Sequence, residues 1–224
     1  MRLGVLFVLL FSSLGLARSI RVMPLGDSIT QGGYTINSQY VPGEGGYRSF
    51  LLPWLKKKIP GLEAVGSLSD GPKSLSDPRH EGHAGWRIDQ IQNNIVDWLA
   101  EFKPDVVLLM IGTNDFTQNW DIQNAPARLQ KLVDTILNQS PDLQLFLSSI
   151  TPTKDNSLNA KIKIYNDAIR DIVIMKKQMG RNISWVPIFE TAGLAYSTGD
   201  LVADGVHPTR QGYKKIAHAW FKQF

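Results

Sequence analysis

Gly26-Asp27-Ser28-Ile29-Thr30 sets a hydroxyl beside an acid directly after the apolar run Ile20 to Leu25. Gly, Asp and Ser are common turn residues, so this block alone is compatible with a plain turn. A serine nucleophile needs more: a base to take its proton and donors for the oxyanion it creates. Histidine is the natural base, because its proton comes and goes near pH 7. The chain has four histidines. His80 and His83 lie in a Gly-, Ser- and Pro-rich stretch, and His218 falls inside a helical pattern. His207 stands in the compact run Asp204-Gly205-Val206-His207. There Asp204 can accept a hydrogen bond from the imidazole, fix its tautomer and support the imidazolium. For the oxyanion, the Ser28 amide, the Gly85 amide and the side-chain amide of Asn114 supply three donors, each worth about 3–4 kcal/mol to such a barrier. A glycine at position 85 lets its amide approach a substrate closely.

The elements that must position these residues alternate strand and helix. Strands are expected at Ile20 to Leu25, Leu62 to Gly66, Asp105 to Ile111, Leu143 to Ile150 and Ile183 to Ile188. The run after Asp105 is apolar without a break, as in a strand buried on both faces. Helical spacing marks Tyr47 to Lys58 (with Pro53 near its first turn or at a kink), Ile88 to Phe102, Leu129 to Leu137, a long helix from Ile162 to near Gly180, and a last helix from Tyr213 to Phe221 capped by Thr209. Ser67 to Trp86 reads as a long loop. The alternation implies α/β architecture: a flavodoxin-like, three-layer fold with helices on both faces of a five-stranded parallel sheet. Ligands bind such sheets beyond the carboxyl ends of the strands. Ser28, Gly85, Asn114 and His207 all follow expected strands, so one rim can gather them.

The chain has 224 residues, 43% hydrophobic and 20% charged, which suits one domain with a substantial core. Met1-Arg2, the apolar run from Leu3 and the small residues Gly15-Leu16-Ala17 form a secretory-signal pattern. Residues 1–17 are therefore expected to be a signal peptide and 18–224 a single domain, secreted and without a membrane span. The net charge of +4 carries no arginine-rich stripe, which argues against a nucleic-acid partner. No cysteine is present, excluding disulfides, a cysteine nucleophile and thiolate metal sites. Asn138 and Asn182 each begin a glycosylation sequon, the first weakened by Pro141. His80 and His83 have no firm third ligand and no H-E-x-x-H spacing, so they read as hydrogen-bonded loop anchors rather than a metal pair. Asp27 and Asp115 are expected to tie loops to backbone amides. Trp86 and Trp120 either line a sugar site or pack.

The blocks together resemble the SGNH hydrolases, the GDSL-type esterases. That family is named for a serine in a GDS block, a glycine, an asparagine in a GxND block and a histidine in a DxxH block. Ser28, Gly85, Asn114 and His207 fall in these blocks in the same chain order, with Asp204 matching the acid. Ile29 replaces the name-giving leucine. "MPLGDSITQG", "GEGGYRSFL", "HEGHAGWRIDQI", "LLMIGTNDF" and "DGVHPTRQGYKKIA" are closer still to carbohydrate esterase family 3, which includes acetylxylan esterases. The resemblance implies a serine esterase acting on acetylated polysaccharide through an acyl-enzyme, as a monomer, with no cofactor and no metal. An α/β-hydrolase fits poorly, since no G-x-S-x-G elbow is present. The remaining alternatives are a lipid-directed esterase (lysophospholipase or thioesterase) and a non-catalytic carbohydrate-binding protein.

Overall fold

The computed structural model describes residues 18–36, 39–41 and 43–224. The expected signal peptide, residues 1–17, lies outside the described residues. Strand β1 (Arg21–Gly26) ends directly against helix α1 (Ser28–Gln31). A two-stranded antiparallel ribbon follows, β2 (Tyr34–Ile36) and β3 (Gln39–Val41), then helix α2 (Arg48–Lys58). Next come three short strands, β4 (Glu63–Ala64), β5 (Leu68–Ser69) and β6 (Arg79–Gly82). Helices α3 (Ile88–Gln92) and α4 (Ile95–Phe102) lead to β7 (Val106–Met110) and α5 (Thr113–Thr117). The chain continues with α6 (Ala125–Gln139), β8 (Gln144–Ser148), α7 (Asn156–Gln178) and β9 (Ile183–Val186). It closes with α8 (Ile188–Thr191) and α9 (Arg210–Phe221).

The strands form one sheet in the order β5-β6-β1-β7-β8-β9, with β4 also paired to β1. β4 lies beside Arg21 and Val22, and β6 lies beside Leu25 and Gly26, so the two occupy successive stretches of one edge of β1. This is the expected flavodoxin-like order, but the sheet has seven strands rather than five: six parallel and β5 antiparallel on the rim. β7 sits at the centre, its residues Val107 to Met110 completely buried. α2 packs on α9 on one side, and α3, α4 and α7 pack on α6 on the other, giving the three layers.

Two expectations need correction and a third is narrowed. The stretch from Ser67 to Trp86 is not one long loop, because β6 pairs in parallel with the carboxyl half of β1. Its side chains His80 and Glu81 are polar and still fully buried, so no apolar pattern announced it. Ile88 to Phe102 is two helices. The Asn94 side chain donates to the Gln90 carbonyl at 2.9 Å, and such side-chain bonds compete with the helical ladder. Pro53 lies in the interior of α2, where its missing N–H removes the helical donor to the Ser49 carbonyl.

Candidate active site

The parallel register sets three strand ends side by side. Gly26 of β1 pairs with Gly82 of β6 on one edge and with Met110 of β7 on the other. Ser28 emerges two residues after Gly26, Gly85 three after Gly82, and Asn114 four after Met110. Ser28 opens α1, where first-turn amides have no helical acceptor. Its side chain is buried but not sealed, at 6% exposure.

Ser28 Oγ lies 2.7 Å from His207 Nε2. On the other side of the ring, His207 Nδ1 is 2.7 Å from Asp204 Oδ2. A carboxylate accepts only, so it holds the proton on Nδ1 and leaves the Nε2 lone pair facing the serine hydroxyl. The second Asp204 oxygen accepts from the amides of Val206 (2.8 Å) and His207 (2.9 Å). Burial works to raise the Asp204 pKa, but these two amides and the imidazole outweigh it, and the group is held below the usual carboxylate range. The base turn is braced from outside: the Lys154 amide donates to Gly205 O at 2.7 Å, and Val202 N donates to His207 O at 2.9 Å. Gly205 has φ +73° with the Lys154 stem where a Cβ would stand, so both conformation and space demand glycine there.

The turn carrying Gly85 is fixed at both ends. His83 N donates to Gly26 O at 2.9 Å and Trp86 N to His83 O at 3.2 Å. The Asn114 side chain donates to Trp86 O at 2.9 Å, which leaves its second amide hydrogen for a ligand. Gly85 is exposed, with φ +78° and open space around its α-carbon. The left-handed backbone favours glycine there, and nothing lies within 4 Å of the place a Cβ would take. His83 stacks against Trp86 and Trp98, with ring centroids 4.2 and 4.8 Å away and the two indoles 6.1 Å apart, and bonds Glu81 at 2.8 Å. His80 Nδ1 accepts from Gly82 N at 2.9 Å. Both histidines are thus hydrogen-bonded, as expected, but only His83 anchors a loop, since His80 lies within β6, and Trp86 packs.

The chain matches the family model "GDSL-like Lipase/Acylhydrolase" over residues 22–220. It belongs to the GDSL-like lipase/acylhydrolase family. Among curated relatives it is 32% identical to a multidomain esterase of Ruminococcus flavefaciens, over 92% of this chain and 28% of that protein. It is 27% identical to an acetylxylan esterase of Xylanibacter ruminicola, over 89% of this chain and 42% of that protein. The chain therefore spans well under two thirds of these relatives. Among solved structures it is 36% identical to a Clostridium thermocellum family 3 carbohydrate esterase, with TM-score 0.77, covering 92% of this chain and 94% of that one.

Two residues of this GDSL chain carry more than the sequence suggested. Arg48 is completely buried. It donates to the carbonyls of Thr30 (2.9 Å) and Gln31 (2.7 Å) at the end of α1 and to Pro78 O (2.7 Å), and it pairs with Asp70 at 3.1 Å. It thus clamps the helix bearing Ser28 to the segment preceding β6. The signal was present: Arg48 shares a helical face with Leu51, Leu52 and Leu55, where a charge is out of place. Asp27 is the second. Its Oδ1 accepts from Ile29 N at 2.9 Å, the expected loop tie. Its Oδ2 and the neighbouring Thr113 hydroxyl are both buried, with no hydrogen-bond partner among the described residues beyond each other, and Thr113 favours the ionised carboxylate. Burial pushes Asp27 up to about 6, against the Ile29 amide and the attraction of His207.

The native Asp27 carboxyl holds its proton more tightly than the unfolded one. Its contribution to stability is therefore full below about pH 3.8 and is lost as pH rises through about 6. At pH 8 the ionised group costs about 3 kcal/mol, since each tenfold change in proton affinity is worth about 1.4 kcal/mol. Asp27→Asn keeps the cap and can donate to Thr113. It is expected to be more stable than the wild type in urea at pH 8, with the difference vanishing near pH 4. A stability difference independent of pH contradicts this reading.

Proposed function

We propose that the protein is a secreted serine esterase that removes acetyl groups from plant polysaccharide. The observation that carries the chemistry is the line Asp204–His207–Ser28, joined by two contacts of 2.7 Å. Ser28 Oγ attacks the acetyl carbonyl carbon while its proton passes to His207 Nε2. The carbonyl oxygen, now negative, is held by the Ser28 and Gly85 amides and the free Asn114 hydrogen. The intermediate collapses, the bond to the sugar oxygen breaks, and His207 returns the proton to that oxygen. Water then attacks the acetyl-serine with His207 again as base, releasing acetate and restoring Ser28. Every proton moves between groups of this chain, the substrate and water.

The substrate class is supported by the names of the relatives, an acetylxylan esterase and a family 3 carbohydrate esterase. Secretion is supported by the pattern of residues 1–17 alone. The test is acetate release from acetylated xylan, set beside a lysophospholipid and a long-chain acyl ester. Turnover on the acetylated glycan is expected to exceed that on either lipid by at least ~100-fold in kcat/KM, a gap of about 3 kcal/mol in barrier. Faster cleavage of the long-chain esters would place the enzyme on lipids instead.

A further inference from the structure

Trp120 lies in the loop after α5 and is 49% exposed, a large apolar ring left in water. The loop nevertheless holds it firmly. Its chain neighbours Asn119 (φ 52°) and Asp121 (φ 40°) both adopt left-handed backbone, which non-glycine residues rarely do. Trp120 N donates to Asp115 O at 2.8 Å. Arg128 donates to Trp120 O at 3.1 Å and to the carboxylates of Asp115 (2.8 Å) and Asp121 (2.7 Å). The Arg87 guanidinium lies 4.4 Å from the centre of the indole ring. Arg87 is itself fixed by Asp89 at 3.1 Å and by Gln118 at 2.9 Å. The ring therefore has one cation-backed face and remains open to solvent elsewhere. Backbone strain and several hydrogen bonds are committed to displaying an apolar surface that folding alone would hide.

The platform is coupled to the candidate active site. Gln118, which accepts from Arg87, also donates through Nε2 to Gly85 O at 2.9 Å. Indole, guanidinium, Gln118 and the Gly85 turn thus form one connected rim. The residues that flank Trp120 in the chain, Asn119 and Asp121, also line a neighbouring open groove of about 520 Å³ whose other walls are both polar, as at Lys161, and apolar, as at Phe116 and Ile122.

We propose that Trp120 is a stacking platform for a sugar ring of the substrate polymer, next to the ring whose ester is cleaved. It rests on the esterase reading above. The apolar C–H face of a pyranose suits an indole face, and its rim hydroxyls suit the polar loop. The polar groups that adjoin the ring, Arg87 and Gln118, connect it to the Gly85 turn and suit a hydroxylated ring better than a bare acyl chain.

The experiment compares wild type, Trp120→Ala and Trp120→Phe on two acetyl esters, an acetylated xylo-oligosaccharide and p-nitrophenyl acetate. Binding of unsubstituted xylo-oligosaccharide is measured in parallel by calorimetry. Trp120→Ala is expected to lose about tenfold more kcat/KM on the oligosaccharide than on the small ester, mainly through KM, as loss of one aromatic stack implies. Trp120→Phe recovers most of the loss, and the alanine variant binds the unsubstituted sugar about tenfold more weakly. Equal losses on both esters, or unchanged sugar binding, overturn the platform. If the wild type cleaves neither ester, the esterase reading fails, and the binding measurement alone decides the role of Trp120.

Discussion

Ser28→Ala is expected to reduce kcat for acetyl ester hydrolysis by ~10⁴–10⁶-fold, the range seen when a serine nucleophile is removed from a coupled triad. The loss falls on kcat because no other hydroxyl takes the position 2.7 Å from His207 Nε2. The fold should be untouched. Among the described residues the Ser28 side chain makes this one hydrogen bond, while its carbonyl still accepts from Gly32 N at 2.7 Å to close α1. The Asp27 cap and the Arg48 clamp do not involve the hydroxyl. Denaturation midpoints should therefore match the wild type, with a change of no more than about 1 kcal/mol for one lost hydrogen bond. Substantial turnover by this variant, measured as acetate released at saturating substrate, contradicts the assignment of the nucleophile.

Asp204→Asn is expected to cost ~10⁴-fold in kcat while leaving the site assembled, because the wrong imidazole tautomer is then favoured. Asparagine keeps an oxygen for the amides of Val206 and His207 but presents N–H to Nδ1. Nδ1 must then accept, the proton moves to Nε2, and the ring can no longer take the serine proton. The same substitution changes acid stability with the opposite sign to Asp27. Asp204 is held below its ordinary range, so it stabilises the native state above its unfolded pKa, and that contribution is lost as pH falls through its native value. Asp204→Asn should therefore be less stable than the wild type at pH 7, with the gap closing in strong acid. Urea denaturation at several pH values checks this, and a gap that widens on acidification refutes it.

The sequence disclosed the site better than the sheet edge that helps to build it. Ser28, Asn114 and His207 adjoin segments with strong patterns: β1, the fully apolar β7, and a helix with a clear Thr209 cap. The strand order followed from the alternation of runs. What stayed hidden was held by polar rather than apolar contacts. β6 buries His80, which faces Gly82 N and Asp70, and Glu81, which faces the Ser67 hydroxyl, and nothing in a hydrophobic profile marks such a strand. Gly85 was legible as a residue but not as part of the turn that follows that strand. Arg48 and the buried Asp27 show the same limit, since their importance lies in groups distant in sequence, Pro78 and Asp70 for the first and Thr113 for the second. The alternatives left open for Trp86 and Trp120 separate in space: Trp86 stacks on His83 at 4.2 Å, whereas Trp120 stays in solvent.

The most direct test of the central claim is chemical labelling of the nucleophile. A fluorophosphonate reacts with a serine only when a base removes its proton and an oxyanion site holds the phosphoryl oxygen. The wild-type protein should gain one label, located by peptide mass spectrometry on Ser28, and His207→Ala and the urea-unfolded protein should gain none. A label on another residue, or an unlabelled protein that still releases acetate, would contradict the account.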